Sequence, residues 1–149
     1  MIHDPPSDYR HTMTALFHAY RALTAKPDAI LARRGLARVH HRILFFVACQ
    51  RGLSVKELLA ALGVTKQAVH QPIRQLVGMG LIESHLDPKD KRVKRLQLTP
   101  AGTQLEAELH GEQVMLLDRA FHLAGRDAVR GWATVCETLA DADTHSMRS

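Results

Sequence analysis

Residues 53 to 80 are punctuated so closely that little besides two short helices fits between the marks. Ser54-Val55-Lys56-Glu57 is a capping box: the serine hydroxyl can accept the Glu57 N–H, and the glutamate can reach back to the Ser54 N–H. Leu58, Leu59 and Leu62 follow at helical spacing, and Gly63 can take the left-handed conformation that closes the helix. Thr65 is placed to cap a second helix reaching about Gly78, with Val69, Ile73 and Leu76 on its inner face. Gly78-Met79-Gly80 stops it. Two helices joined by a short glycine-containing turn make a helix-turn-helix.

The sequence after this unit reads as a hairpin. Leu81 to Leu86 forms one strand, Asp87-Pro88-Lys89-Asp90-Lys91 a charged turn, and Arg92 to Leu98 the returning strand. Thr99 then caps, and Pro100 opens, a long helix carrying Leu105, Leu109, Leu116, Leu117 and Phe121. Gly125 breaks it, a last helix carries Val129, Trp132, Val135, Cys136 and Leu139, and the polar tail from Asp143 is expected to fray. Upstream, Tyr9, Met13, Leu16, Phe17, Tyr20 and Leu23 form one apolar helical stripe, which Pro27-Asp28 should end or restart. Arg38 to Gln50 is a buried helix stopped by Gly52. The expected fold is therefore mainly α with a small β-wing. It is one chain of 149 residues, with a winged helix-turn-helix over 37–99 between helical segments 8–34 and 100–141.

Several classes of function are disfavoured. The longest apolar run, Ile43 to Cys49, has seven residues, against about 20 for a membrane span. The first residues lack a basic region followed by an apolar one, so a cytoplasmic protein is expected. Cys49 and Cys136 both sit in apolar stretches and read as buried, reduced thiols; a redox sensor would need an exposed one of lowered pKa. Of the ten histidines, His40 and His41 point about 100° apart on a helix, and no close His/Cys spacing fits zinc. No metal or cofactor is expected. Glycine-rich phosphate loops, HExxH and GxSxG are missing, and Glu108 with Glu112 reads as a solvated face, so an enzyme is not expected.

Charge is unevenly placed. Ala29 to Arg95 holds thirteen Lys and Arg against four Asp and Glu, while the rest of the chain is net acidic. A basic centre suits a polyanion. The outer face of the second helix carries Lys66, Gln67, His70, Gln71 and Arg74, residue types that pair with base edges and phosphates in a major groove wide enough for one helix. No acid lies between Glu57 and Glu83. The hairpin gathers Lys89, Lys91, Arg92, Lys94 and Arg95 within seven residues, and Asp90 is placed to brace Arg92 or Arg95. Double-stranded DNA is the expected partner.

Leu53 to Gly102 resembles the winged helix-turn-helix of MarR-type bacterial transcription regulators. The resemblance rests on the capped helix Ser54 to Leu62, Thr65-Lys66-Gln67-Ala68-Val69, Gly80-Leu81-Ile82-Glu83, the wing motif Asp90-Lys91-Arg92-Val93-Lys94-Arg95, and Leu96 to Gly102. It implies a homodimer in which 8–34 and 100–141 are dimerisation helices, and a pseudo-palindromic operator with half-sites about 34–36 Å apart. It also implies that Arg92 enters the minor groove while Arg95 and Asp90 stabilise the wing or face phosphate. Pro72, inside the recognition helix, departs from the family pattern and leaves open which of Gln71, Arg74 and Gln75 reach bases.

Regulators of this kind often bind a small, commonly phenolic, effector between the dimer helices and the winged domain. Phe17, His18, Tyr20, His41, Phe45 and Trp132 are the candidate lining, though an aromatic stripe also serves as core or dimer interface. The expected function is a homodimeric, sequence-specific regulator, a repressor released by a small aromatic ligand. The alternatives are a winged-helix protein-interaction module that does not read DNA and a thiol redox-responsive regulator.

Overall fold

A computed structural model describes residues 8–146. Its elements are α1 (Tyr9–Ala32), α2 (Arg38–Cys49), β1 (Leu53–Ser54), α3 (Val55–Leu62), α4 (Lys66–Gly78), β2 (Ile82–Leu86), β3 (Lys94–Leu98), α5 (Pro100–Ala124) and α6 (Arg126–Ser146). The chain falls into two compact units, divided between Gln113 and Val114. The strands form an antiparallel sheet in the order β1-β3-β2, with Leu96 opposite both Leu53 and Ser84. The mainly α, winged helix-turn-helix architecture read from the sequence is the one observed.

One core holds the first unit together. Ile43, Leu44 and Val47 of α2 meet Leu58 of α3, Val69 and Leu76 of α4, Leu96 of β3, and Leu105 and Leu109 of α5, all buried. α3 and α4 present apolar faces at helical spacing to this centre, and burying them is what holds such short helices. Ser54 Oγ accepts the Glu57 N–H at 3.0 Å, and Gly63 closes α3 at φ 64°, as the sequence requires. Glu57 does not complete the expected box: its carboxylate accepts from Gln50 Nε2 at 2.9 Å instead. Thr65 has the extended backbone of a cap, but its side chain makes no capping bond to α4.

At the base of the wing, Thr99 N–H donates to the Leu81 carbonyl at 3.1 Å and Thr99 Oγ to the Gly80 carbonyl at 2.6 Å. Gly102 N–H in turn donates to Thr99 Oγ at 3.0 Å. Gly102 packs so closely that a Cβ there would stand 1.9 Å from the Leu81 carbonyl oxygen.

Three further expectations are corrected. Pro27 neither ends nor restarts the first helix; α1 runs through it. Proline at 27 removes the N–H that would bond the Leu23 carbonyl, and Gln113 Nε2 of α5 donates to that carbonyl at 3.2 Å. The tail does not fray at Asp143, since α6 continues to Ser146. Cys49 and Cys136 are exposed free thiols, not buried ones: Cys49 lies opposite the buried face of α2, and α6, which carries Cys136, buries no residue among its described ones.

Candidate nucleic-acid interface and effector pocket

α4 is held by its inner face and displays its outer one. Val69 and Leu76 are buried, while Lys66, Gln67, His70, Gln71 and Arg74 are all exposed. Pro72 lies half-buried in a helix that stays unbroken around it. Gln75 is turned inward, where its Oε1 meets His40 Nε2 at 2.8 Å.

The wing is built on two aspartates with different tasks. Asp87 Oδ1 accepts the N–H groups of Lys89, at 2.8 Å, and Asp90, at 3.1 Å, folding the tip. Its Oδ2 accepts Arg95 Nε at 2.5 Å. Arg95 also donates to the Gly52 carbonyl at 3.0 Å and lies 3.8 Å from Glu57, so it ties the wing to the start of α3. The Arg95 hydrogen bond, helped by the two backbone donors, holds the Asp87 carboxyl below the usual carboxylate range. Asp90 instead braces Arg92: Oδ1 accepts its N–H and Nε, each at 3.1 Å, and Oδ2 accepts Nη2 at 3.2 Å. That pairing likewise lowers the Asp90 carboxyl. The Arg92 side chain is nevertheless 91% exposed. Lys91 and Lys94 are exposed, whereas Arg95 is half-buried. Asp87 was not singled out in the sequence, although an Asp-Pro turn opener bonding its own backbone two residues on is a recognisable signal.

Between α4 and the wing runs a groove of about 790 Å³. Lys56, Lys66, His70, Arg74, Arg92 and Lys94 line it above an apolar floor of Leu59, Val69, Ile73 and Leu96. Cations from α3, α4 and the wing thus converge on one concave surface.

A second cavity, of about 210 Å³, opens among α1, α2 and Gln113 of α5. Of the candidate lining residues, Tyr20, His41 and Phe45 meet there, joined by Leu23, Thr24, Arg38, Arg42 and Gln113. Phe17 and His18 are exposed and do not line it. Trp132 belongs to the second unit, where its ring packs 5.4 Å from that of Phe121. The two arginines were not among the aromatic candidates, although Arg38 and Arg42 stand one helical turn apart and so share a face.

Arg42 Nη2 donates to Tyr20 Oη at 2.9 Å. Arg38 donates to Asp28 Oδ2 at 2.9 Å and Thr24 Oγ at 3.1 Å, with its guanidinium 5.4 Å from the centre of the Tyr20 ring. His41 is buried, and burial pushes its imidazole below the ordinary value. The cavity therefore offers an aromatic wall, a neutral imidazole and two guanidinium groups. Among the described residues, no group of three or more His, Cys, Asp or Glu is arranged to hold a metal ion. No helix among them is long and apolar enough to cross a membrane.

A family model described as "MarR family" matches residues 34–93. The chain is 41% identical over 132 residues to the HTH-type transcriptional regulator PetP of Rhodobacter capsulatus, covering 89% of this chain and 80% of that protein. NadR in complex with 4-hydroxyphenylacetate superposes with a TM-score of 0.72 at 21% identity, covering 94% of this chain and 96% of NadR. A mutant of S. aureus MepR bound to an oligodeoxyribonucleotide gives 0.61 at 19% identity, covering 92% of this chain and 99% of MepR.

Proposed function

The chain belongs to the MarR family of transcription regulators, and from that premise we propose that it is a homodimeric, sequence-specific DNA-binding repressor acting in the cytoplasm and released by a small aromatic ligand. The observation that carries the reading is the groove between α4 and the wing, with exposed cations on both sides and Arg92 held outward by Asp90. On this reading Lys66, Gln67, His70, Gln71 and Arg74, on the exposed face of α4, meet the major groove of DNA. Arg92 enters the minor groove, where negative potential is concentrated. Lys91 and Lys94 neutralise phosphates, and Arg95 holds the wing in shape.

Dimerisation is supported by exposed apolar side chains. Tyr9, Met13, Leu16 and Phe17 of α1, and Trp132, Val135 and Leu139 of α6, are all exposed in the single chain. Patches of this kind mark association surfaces. A two-fold dimer requires a pseudo-palindromic operator.

Effector binding is supported by the α1–α2–α5 cavity. Tyr20 and Phe45 suit an aromatic ring, and Arg38 and Arg42 an anionic substituent. NadR, of the same fold, binds 4-hydroxyphenylacetate.

Fluorescence anisotropy tests the reading. The protein is titrated against duplex from upstream of its own gene and against scrambled duplex, at about 50 and 200 mM salt. With roughly 6–10 phosphates engaged, affinity should fall about 10³–10⁵-fold across that interval. Tight, salt-sensitive preference for the upstream duplex is the expected result; no binding to either duplex at low salt overturns the reading.

A further inference from the structure

His40 lies in the first turn of α2 and is buried, at 6% exposure. Its Nδ1 accepts the Ala37 N–H at 2.9 Å, which assigns the ring proton to Nε2. Nε2–H is then the donor to Gln75 Oε1, 2.8 Å away on α4. The Gln75 amide nitrogen donates onward to the Gly35 carbonyl at 3.3 Å. Ala37, His40, Gln75 and Gly35 thus form a closed polar circuit between the start of α2 and the recognition helix. Neighbours of the circuit line the two proposed sites. Arg38, His41 and Arg42, on the same stretch of α2, line the effector cavity, and Arg74, beside Gln75, faces outward.

We propose that His40 and Gln75 are a positioning pair that couples occupancy of the α1–α2–α5 cavity to the setting of α4. The inference rests on the proposed DNA face and effector pocket. A guest that displaces Arg38 or His41 must shift the turn carrying His40, and the hydrogen bond to Gln75 passes that shift to α4. Coupling between sites is reciprocal, so DNA on α4 must in turn steady the first turn of α2. The reciprocal direction can be measured without knowing the effector.

The test is hydrogen exchange at the amides of Ala37, His40 and His41 in the full chain, with and without upstream duplex, and with binding followed by anisotropy in the same samples. In the wild type, DNA should slow exchange about five-fold or more. Gln75→Met keeps the bulk but not the bridge, and should bind DNA with that ratio near one. Gln75→Glu retains an acceptor for Nε2–H and should restore the protection. If Gln75→Met unfolds, Gln75→Asn, one methylene shorter, takes its place. Protection that persists without the bridge, or is missing in wild-type protein that binds the duplex, overturns the coupling. Failure of the wild type to bind DNA, read directly from anisotropy, overturns the proposed function and the pair with it.

Discussion

Gln113 donates from Nε2 to the carbonyl of Leu23 at 3.2 Å, the carbonyl that Pro27 deprives of its helical partner. A side chain on α5 thus supplies the donor that a proline on α1 removes. Gln113→Met should destabilise the wild type by about 1 kcal/mol, the usual cost of leaving a partly buried acceptor unpaired. In a Pro27→Ala background, where residue 27 regains its N–H, the same change should cost close to nothing. A double-mutant cycle in urea measures the difference; equal costs in both backgrounds would show that the bond does not compensate for the proline.

Gly102→Ala sets a Cβ against the Leu81 carbonyl oxygen and carbon, at 1.9 and 2.9 Å. The obstacle is backbone, which cannot rotate aside as a side chain would. We expect a loss of about 2 kcal/mol or more and a fall in Tm of roughly 4 °C or more in a thermal melt.

The two wing arginines should behave differently. Arg92→Ala removes an exposed side chain braced only within the wing, and should weaken DNA binding roughly tenfold or more with unchanged thermal unfolding. Arg95→Ala leaves Asp87 without its guanidinium partner and loosens the wing from α3. It should lower both Tm and DNA affinity. Matching melts for the two variants would refute this division of labour.

His41 should make stability depend on pH. Burial, with lesser contributions from His110 and Arg42, lowers its imidazole, and Asp28 only partly opposes this. As pH falls below the unfolded value of about 6.5, the unfolded chain takes up a proton that the folded chain declines. Folded stability is therefore complete above that value and lost on acidification. Denaturant melts at about pH 7.5 and 5.5 should show a smaller loss for His41→Gln than for the wild type.

A charge on the exposed face of α1 tests self-association. Phe17, 68% exposed, faces away from the core of its own unit. Phe17→Asp should leave that unit folded by circular dichroism, yet shift sedimentation from dimer to monomer and weaken DNA binding. An unchanged sedimentation coefficient would place the dimer contact elsewhere.

The helix-turn-helix and wing were legible because their signals are local. Ser54, Gly63 and Gly80 punctuate leucines at helical spacing, and a basic hairpin follows directly. What escaped notice depends on distant partners. Pro27 looked like a helix end because Gln113 is 86 positions further along the chain, with no pattern joining the two. Asp90 was the expected brace for either arginine, yet Asp87 takes Arg95, a choice made by the strand register and the nearby Gly52 carbonyl. Apolar neighbours made Cys49 and Cys136 look buried, but Cys49 lies on the outward side of α2 and Cys136 on a helix that buries no residue among its described ones. Trp132 was grouped with the pocket aromatics by residue type, and type says nothing of which unit a side chain joins.

The joint at the base of the wing has a mechanical consequence. The bonds of Thr99 to Gly80 and Leu81, with Gly102 seated against the Leu81 carbonyl, weld the end of α4, the root of the hairpin and the first turn of α5 at one point. A weld does not act as a hinge. The end of α4, the root of the hairpin and the first turn of α5 must therefore move as one lever, and a displacement imposed on any of the three is carried undamped to the other two.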